Sequence, residues 1–216
     1  MDFENMKIEE YRGVEGVVAA EILVDDNGTN TAGQGETANH GYVVGEVFPI
    51  AGVSEITKTS EGSSESHYYN NIPAIVIIGQ GADTININTS AIPIDVLAKI
   101  TGQKYDSAKG ALIEGERTTK YFAIGYITRK TNGDEIYVWR LKGTFNNPDQ
   151  TNATENDGTD ANGQELVYTN ISTTHKFTNY DNKGAKALIV DVAKDLADVS
   201  NFFDTVTTPD TLQAKG

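Results

Sequence analysis

Residues Tyr121–Phe145 read YFAIGYITRKTNGDEIYVWRLKGTF, and they decide the fold class. Two runs rich in aromatic and β-branched side chains flank Thr131-Asn132-Gly133-Asp134. Asn-Gly between such runs is a strong hairpin signal, because both central residues of a type I′ turn need positive φ. Phe122, Ile124 and Tyr126 share one face of the first strand, and Tyr137, Trp139 and Leu141 share one face of the second. Strands of roughly ten residues span about 33 Å. A hairpin this long and this apolar must be buried over much of its length.

Moving toward the N-terminus, Asn88–Asp106 reads NTSAIPIDVLAKITGQKYD and carries a helical signature within an otherwise strand-patterned chain. The reading predicts a short helix over 92–102. Ser90 caps it and Pro93 sits in its first turn. Ile94, Leu97, Ala98 and Thr101 form its inner face, and Gly102 stops it. Asp95 and Lys99 make an i, i+4 surface pair. Before this helix, Ala82–Thr89 alternates Ile85 and Ile87 with polar residues, a half-buried strand. Gly79-Gln80-Gly81 reads as a turn after the apolar run Ala74–Ile78. Thr59–Ser66 (TSEGSSES) reads as a loop, following strand candidates at 41–48 and 53–58. Residues 27–38 contain the glycine- and threonine-rich TNTAGQGETA, a second loop, preceded by the strand Gly16–Val24. Residues 1–13 form a polar arm.

Toward the C-terminus, 146–163 has no large apolar residue and reads as a long excursion, a kind of segment that is usually functional or disordered. Glu165–Phe177 returns to a strand pattern, with Val167, Ile171 and Phe177 on one face beside Thr169, Thr173 and His175. Ala185–Val192 is a further strand. Leu196, Val199 and Phe203 have helical spacing, which predicts a second short helix over Asp195–Asp204, before an extension at 205–216. The fold class is therefore mainly β, an antiparallel β-sandwich or barrel-like fold with one short flanking helix, in a single domain spanning 1–216.

Composition narrows the function. The net charge of -14 arises from 31 acidic and 17 basic residues. No Lys/Arg cluster offsets it, which argues against a nucleic-acid binder or an anionic-membrane binder. No apolar run reaches the roughly 18 residues of a membrane span, and the acidic N-terminus does not resemble a signal peptide. Cysteine is absent, so disulfides and thiolate metal sites are excluded.

Chemical motifs are weak throughout. His40, His67 and His175 are scattered without metal-ligand spacing. The Gly79–Gly81 pair precedes a strand rather than a helix, so it cannot cradle phosphate at a helix start. Asn156–Gly163 resembles a calcium loop but fails it. In the register that makes Gly163 the required glycine, Gly158 stands at the first ligand position and Thr169 where a bidentate Glu is needed. No GxSxG elbow exists, and nothing singles out a carboxylate pair. Sequons at Asn27, Asn88, Asn152 and Asn170 are expected by chance in so Asn- and Thr-rich a chain. Ten tyrosines, Trp139 and Tyr68-Tyr69 could form a sugar platform, or simply the β core and its rim. The residues thus point to a non-enzymatic protein with no cofactor, catalytic or metal site.

The order of several segments resembles the major tail proteins of bacteriophages with long non-contractile tails. Phe48–Val53 (FPIAGV) leads to a Ser/Glu segment ending in Tyr68-Tyr69-Asn70-Asn71. Ile92–Gly102 (IPIDVLAKITG), Leu112–Gly115 (LIEG), Phe122–Tyr126 (FAIGY) and Tyr137–Phe145 (YVWRLKGTF) follow, and Phe202-Phe203 to Pro209 resembles the family's end. The glycine- and threonine-rich insert at 27–38 departs from the pattern. The resemblance implies a β-sandwich tail tube domain that forms homohexameric rings, stacked into a virion tail tube after synthesis in the host cytoplasm. Implied partners are further copies, a tape measure protein in the lumen, tail terminator and distal tail proteins, and DNA in transit without specific binding. Candidate inter-subunit or inter-ring residues are Asn27, Gly35, Glu61, Ser64, Tyr68, Tyr69, Asn147, Asp149, Asp157 and Asp160. The competing reading is a carbohydrate-binding or adhesin-type β-sandwich module of a virion or cell surface.

Overall fold

The β-rich pattern folds as an antiparallel sheet that bends into a sandwich-like structure without closing into a barrel. The computed structural model describes residues 9–28, 40–69, 72–150 and 163–216. In chain order the strands are β1 (Tyr11–Asp25), β2 (Tyr42–Val44), β3 (Phe48–Pro49), β4 (Val53–Tyr69) and β5 (Ile72–Thr89), followed by helix α1 (Ile94–Thr101). Then come β6 (Lys104–Asp106), β7 (Ala111–Ile113), β8 (Phe122–Lys130), β9 (Glu135–Phe145), β10 (Asp149–Gln150) and β11 (Gln164–Asn170). The last strands are β12 (Ala187–Asp191), β13 (Ala197–Asp198) and β14 (Gln213–Ala214). The main sheet runs β2-β1-β8-β9-β11-β5-β4, with β3 added to β1, β12 to β9 and β10 to β11.

Strand β9 is the branch point. Its first part, Ile136–Arg140, pairs with β12, and its end, Gly143–Phe145, pairs with β11. The sheet divides there and curls until Ile56 of β4 and Val14 of β1 pack on one core. That inner core contains Phe122, Ile124 and Tyr126 of β8, Ile136 and Val138 of β9, Ile85 and Ile87 of β5, and Leu166 and Tyr168 of β11, with Ile92 and Ile100 from the helical segment. A second core lies on the opposite face. Trp139 and Leu141 meet Phe202, Phe203, Val206 and Leu212 there, and Trp139 Nε1 donates to the Phe202 carbonyl at 2.8 Å. The two predicted faces of the β8–β9 hairpin thus enter two different cores. The turn between them differs from the type I′ expectation, because positive φ is confined to Gly133 (93°). Its N–H donates to the Lys130 carbonyl, and Lys130 N–H to that of Asp134.

Other expectations are corrected. Thr59–Ser66 is not a loop but the middle of β4, and Gly79-Gln80-Gly81 is not a turn but part of the continuous β5. Helix α1 starts after Pro93 with no side-chain cap. Ser90 Oγ instead accepts from Gly52 N–H at 3.1 Å. Ile94 is exposed and Ile100 takes its place inside, beside Ala98 and Thr101. Gly102 does end the helix in the left-handed region (φ 68°). Lys99 does not pair with Asp95, and its Nζ lies 3.6 Å from the Phe48 ring centroid. In β11 the buried residues are Leu166, Tyr168 and Asn170, the face opposite to the one expected, and the strand ends at Asn170. Asp195–Asp204 forms no α-helix. It holds β13 and turns, and Gln213–Ala214 pairs back on it. Residues 11–13, expected in the arm, already belong to β1.

Candidate assembly surface

The β4–β5 hairpin, Val53–Thr89, is buried at its root and exposed toward its tip, and its residues explain why. Near its root β5 alternates: Asp83, Ile85, Ile87 and Thr89 are buried, while Thr84, Asn86 and Asn88 are half-exposed. Residues 83–89 pair with β11 on one side and β4 on the other. The root is also pinned electrostatically. Asp83 receives Lys186 at 3.3 Å and Lys58 at 3.6 Å, and Asn170 Nδ2 lies 3.5 Å away. Burial pushes the Asp83 carboxyl upward, but the two lysine charges outweigh it and hold it below the ordinary value.

Beyond Gly81, whose carbonyl accepts from Lys186 Nζ, no support from outside the hairpin is seen among the described residues. Two irregularities mark the change: the register shifts between Ser60 and Gly62, and again between His67 and Tyr68. At the first, a Cβ on Gly81 would stand 2.6 Å from the Glu61 carbonyl oxygen, so the ladder needs glycine there for close approach. From Glu61 to Ser66 every side chain is exposed. Across the ladder, Ile75 and Val76 are 52% and 57% exposed. Consecutive strand residues point to opposite faces, so this ribbon bares apolar surface on both. Tyr68 and Ile72 extend it toward the tip. Among the described residues, β4 pairs with nothing but β5, and residues 72–82 of β5 pair only with β4. The distal ribbon therefore offers two open edges and two open faces.

The sequence-derived candidates fall in three places. Glu61, Ser64 and Tyr68 lie together on this ribbon, as does the backbone of Tyr69. Asn147 lies beside the end of α1, where Gln103 Nε2 donates to its Oδ1 at 3.5 Å, and Asp149 pairs with Glu165 of β11. Asn27 stands elsewhere and is engaged within the chain. Its Nδ2 donates to the Thr174 carbonyl at 3.0 Å, and its Oδ1 accepts from Lys176 N–H at 2.8 Å. Gly35, Asp157 and Asp160, with most of the 27–38 and 146–163 segments, lie outside the described residues.

Asn27 belongs to a second polar knot. Asp25 accepts from Lys142 Nζ at 2.5 Å and from the Thr174 and His175 N–H groups at 2.8 and 2.7 Å. Burial raises the Asp25 carboxyl, but Lys142 and the two amides win and keep it low. His40 Nδ1 lies 3.0 Å from Asp26 Oδ2, and Asp26 also accepts from Gly28 and Gly41 N–H. These contacts clamp the two ends of the 29–39 segment. Sequence reasoning missed Asp83, Lys58 and Lys186, since three charges distant in sequence give no local pattern. Among the described residues, no group of three His, Asp or Glu side chains is placed to hold a metal.

Comparison with known proteins adds one finding. A family model described as phage tail tube protein matches residues 16–194, a stretch that runs from β1 to just beyond β12 and contains both long hairpins. No curated protein matches the chain.

Proposed function

The chain belongs to the phage tail tube protein family, and from that premise we propose that it assembles into hexameric rings that stack as the tube through which DNA leaves the virion. The observation that carries this is the distal β4–β5 ribbon, with its unpaired edges and apolar side chains on both faces. A free ribbon of this kind invites uncontrolled strand pairing. Closed cyclic contacts between identical copies use those edges up. Glu61, Ser64, Tyr68 and Tyr69 are assigned to that contact. Segments 27–38 and 146–163, with Asn147 and Asp149, are assigned to contacts between rings. Tape measure, tail terminator and distal tail proteins are the partners proposed for the finished tube.

The charge supports a conduit for DNA. At -14 the subunit repels phosphate, and an acidic inner wall would let a duplex slide without adhering. Subunits would collect in the host cytoplasm before joining the tail. Negative-stain microscopy of concentrated purified protein tests the reading. Rings or tubes are expected. A chain that stays monomeric at every concentration and binds glycans would overturn it in favour of the carbohydrate-binding alternative.

A further inference from the structure

A groove opens on the inner face of the sheet, between the start of β4 on one side and β1, β8, β9 and β12 on the other. Its volume is about 460 Å³. Its walls are largely apolar, with Val138, Ile136 and Tyr126 at the floor and Tyr11 and Ile189 at the rim, the last two 72% and 56% exposed. Into this apolar wall β9 places Arg140, only 8% exposed, in the same alternation that turns Ile136 and Val138 inward. Arg140 Nε and Nη2 both donate to the Tyr126 hydroxyl, at 3.3 and 3.1 Å. Among the described residues no carboxylate stands within ion-pair distance of the guanidinium. The other charged side chains of the groove are engaged: Lys58 with Asp83 at 3.6 Å, and Glu55 with Asn88 Nδ2 at 3.1 Å.

A buried guanidinium is costly without a counter-charge. This one keeps Nη1 for a further acceptor, and Tyr126, accepting from Arg140, keeps its own O–H to donate. Together they are a two-donor seat for one carboxylate. The ribbon supplies a matching surface. Glu65 and His67 point to one face of β4, and Ile75, opposite His67, points to the same face of β5. An exposed carboxylate thus stands diagonal to an exposed isoleucine. The ribbon of the same chain cannot bend back to deliver it. Lys58 is in the groove wall and Glu65 lies seven residues further along a continuous strand, about 23 Å away.

We propose that the groove is the seat for the distal β4–β5 ribbon of a second copy. The Glu65 carboxylate of that copy accepts from Arg140 and Tyr126, and its Ile75 packs against Ile189 and Tyr11. The proposal rests on the assembly reading and adds to it the residues of one contact. Charge complementarity sets the register, and the apolar rim supplies burial.

The absence of cysteine makes a direct test possible. The double variant Ile75→Cys, Ile189→Cys is oxidised after assembly and run on a non-reducing gel. A ladder of covalently joined subunits is expected, with each single variant giving none. Tubes without a ladder overturn the seat and leave the assembly reading standing, whereas a chain that never assembles overturns both. Glu65→Gln is the independent arm. It is expected to raise the concentration needed for assembly tenfold or more, while Asp181→Asn at a remote exposed site leaves it unchanged. If Glu65→Gln assembles like the parent, Arg140 serves a different acid or a small anion and the pairing is wrong.

Discussion

In the β8–β9 hairpin both faces are covered: Phe122, Ile124 and Val138 enter one core, and Trp139 and Leu141 the other. In the longer β4–β5 hairpin only the root is covered, and beyond Gly81 both faces and both edges are open. The two are equally β in backbone, so burial within the chain is not what makes the second one a ribbon. Its ladder is held by cross-strand pairing from a fixed root, and the exposed Ile75 and Val76 belong to neither core of the subunit. If the ribbon is the contact proposed above, the first hairpin carries stability and the second carries assembly. Substitutions in the two should therefore separate these properties.

The largest expected effect lies in the covered hairpin. Phe122 is fully buried between Phe48 and Phe145, with ring centroids 6.4 and 5.7 Å away. Phe122→Ala should cost about 3–5 kcal/mol through lost burial and the cavity left behind. Urea unfolding of the unassembled chain measures it. A cost below 1 kcal/mol would mean that the inner core is not the main source of stability.

Next comes the boundary of the ribbon. Asp83→Asn removes the charge that Lys58 and Lys186 share and should cost about 2 kcal/mol. Its pH dependence has a definite sign. The folded-state pKa lies below the ordinary value, so the contribution is fully present above the unfolded carboxylate pKa of about 3.9. It is lost as pH falls through the lower folded value. Asp83→Asn should flatten that part of the acid limb of stability, and an unchanged limb would remove Asp83 from the account. Gly81→Ala, which forces a Cβ against the Glu61 carbonyl, should cost about 1 kcal/mol. It should also loosen the ribbon beyond the first register shift, seen as faster amide exchange over 61–69.

The same contrast explains what could be read from sequence. The covered hairpin was legible because burial writes itself into apolar alternation, as did Ile85 and Ile87 at the root of β5. Gly102 was legible because a left-handed residue after a helix has few alternatives. Thr59–Ser66 reads as a loop because its own side chains are polar and exposed, and its strand character comes from pairing with β5, from Thr84 to Val76. Arg140 was overlooked for the opposite reason: it occupies an inward position, and a charge there breaks the pattern rather than announcing a site. The Asp195–Asp204 segment suggested a helix by spacing, yet its Phe202 and Phe203 cover the Trp139 face from irregular chain. Of the proposed contact residues, the ribbon group came together because it follows one hairpin. Asn27 separated from it because its amide meets residues nearly 150 positions away.

The smallest effect on stability is the one that decides whether the comparison holds. Ile75→Ser and Val76→Ser remove exposed apolar side chains that touch no core, so each should change unfolding free energy by less than about 0.5 kcal/mol. On assembly the order should reverse. Burying those side chains between copies is worth about 1 kcal/mol or more apiece, so the double variant should raise the assembly threshold more than tenfold while unfolding like the parent. Sedimentation of tubes across a dilution series reads the threshold. If the double variant proves unstable as a subunit, the ribbon is held by contacts within the chain and the division of labour fails. If it is stable and assembles normally, the open faces of the ribbon are not the surface that joins one copy to the next.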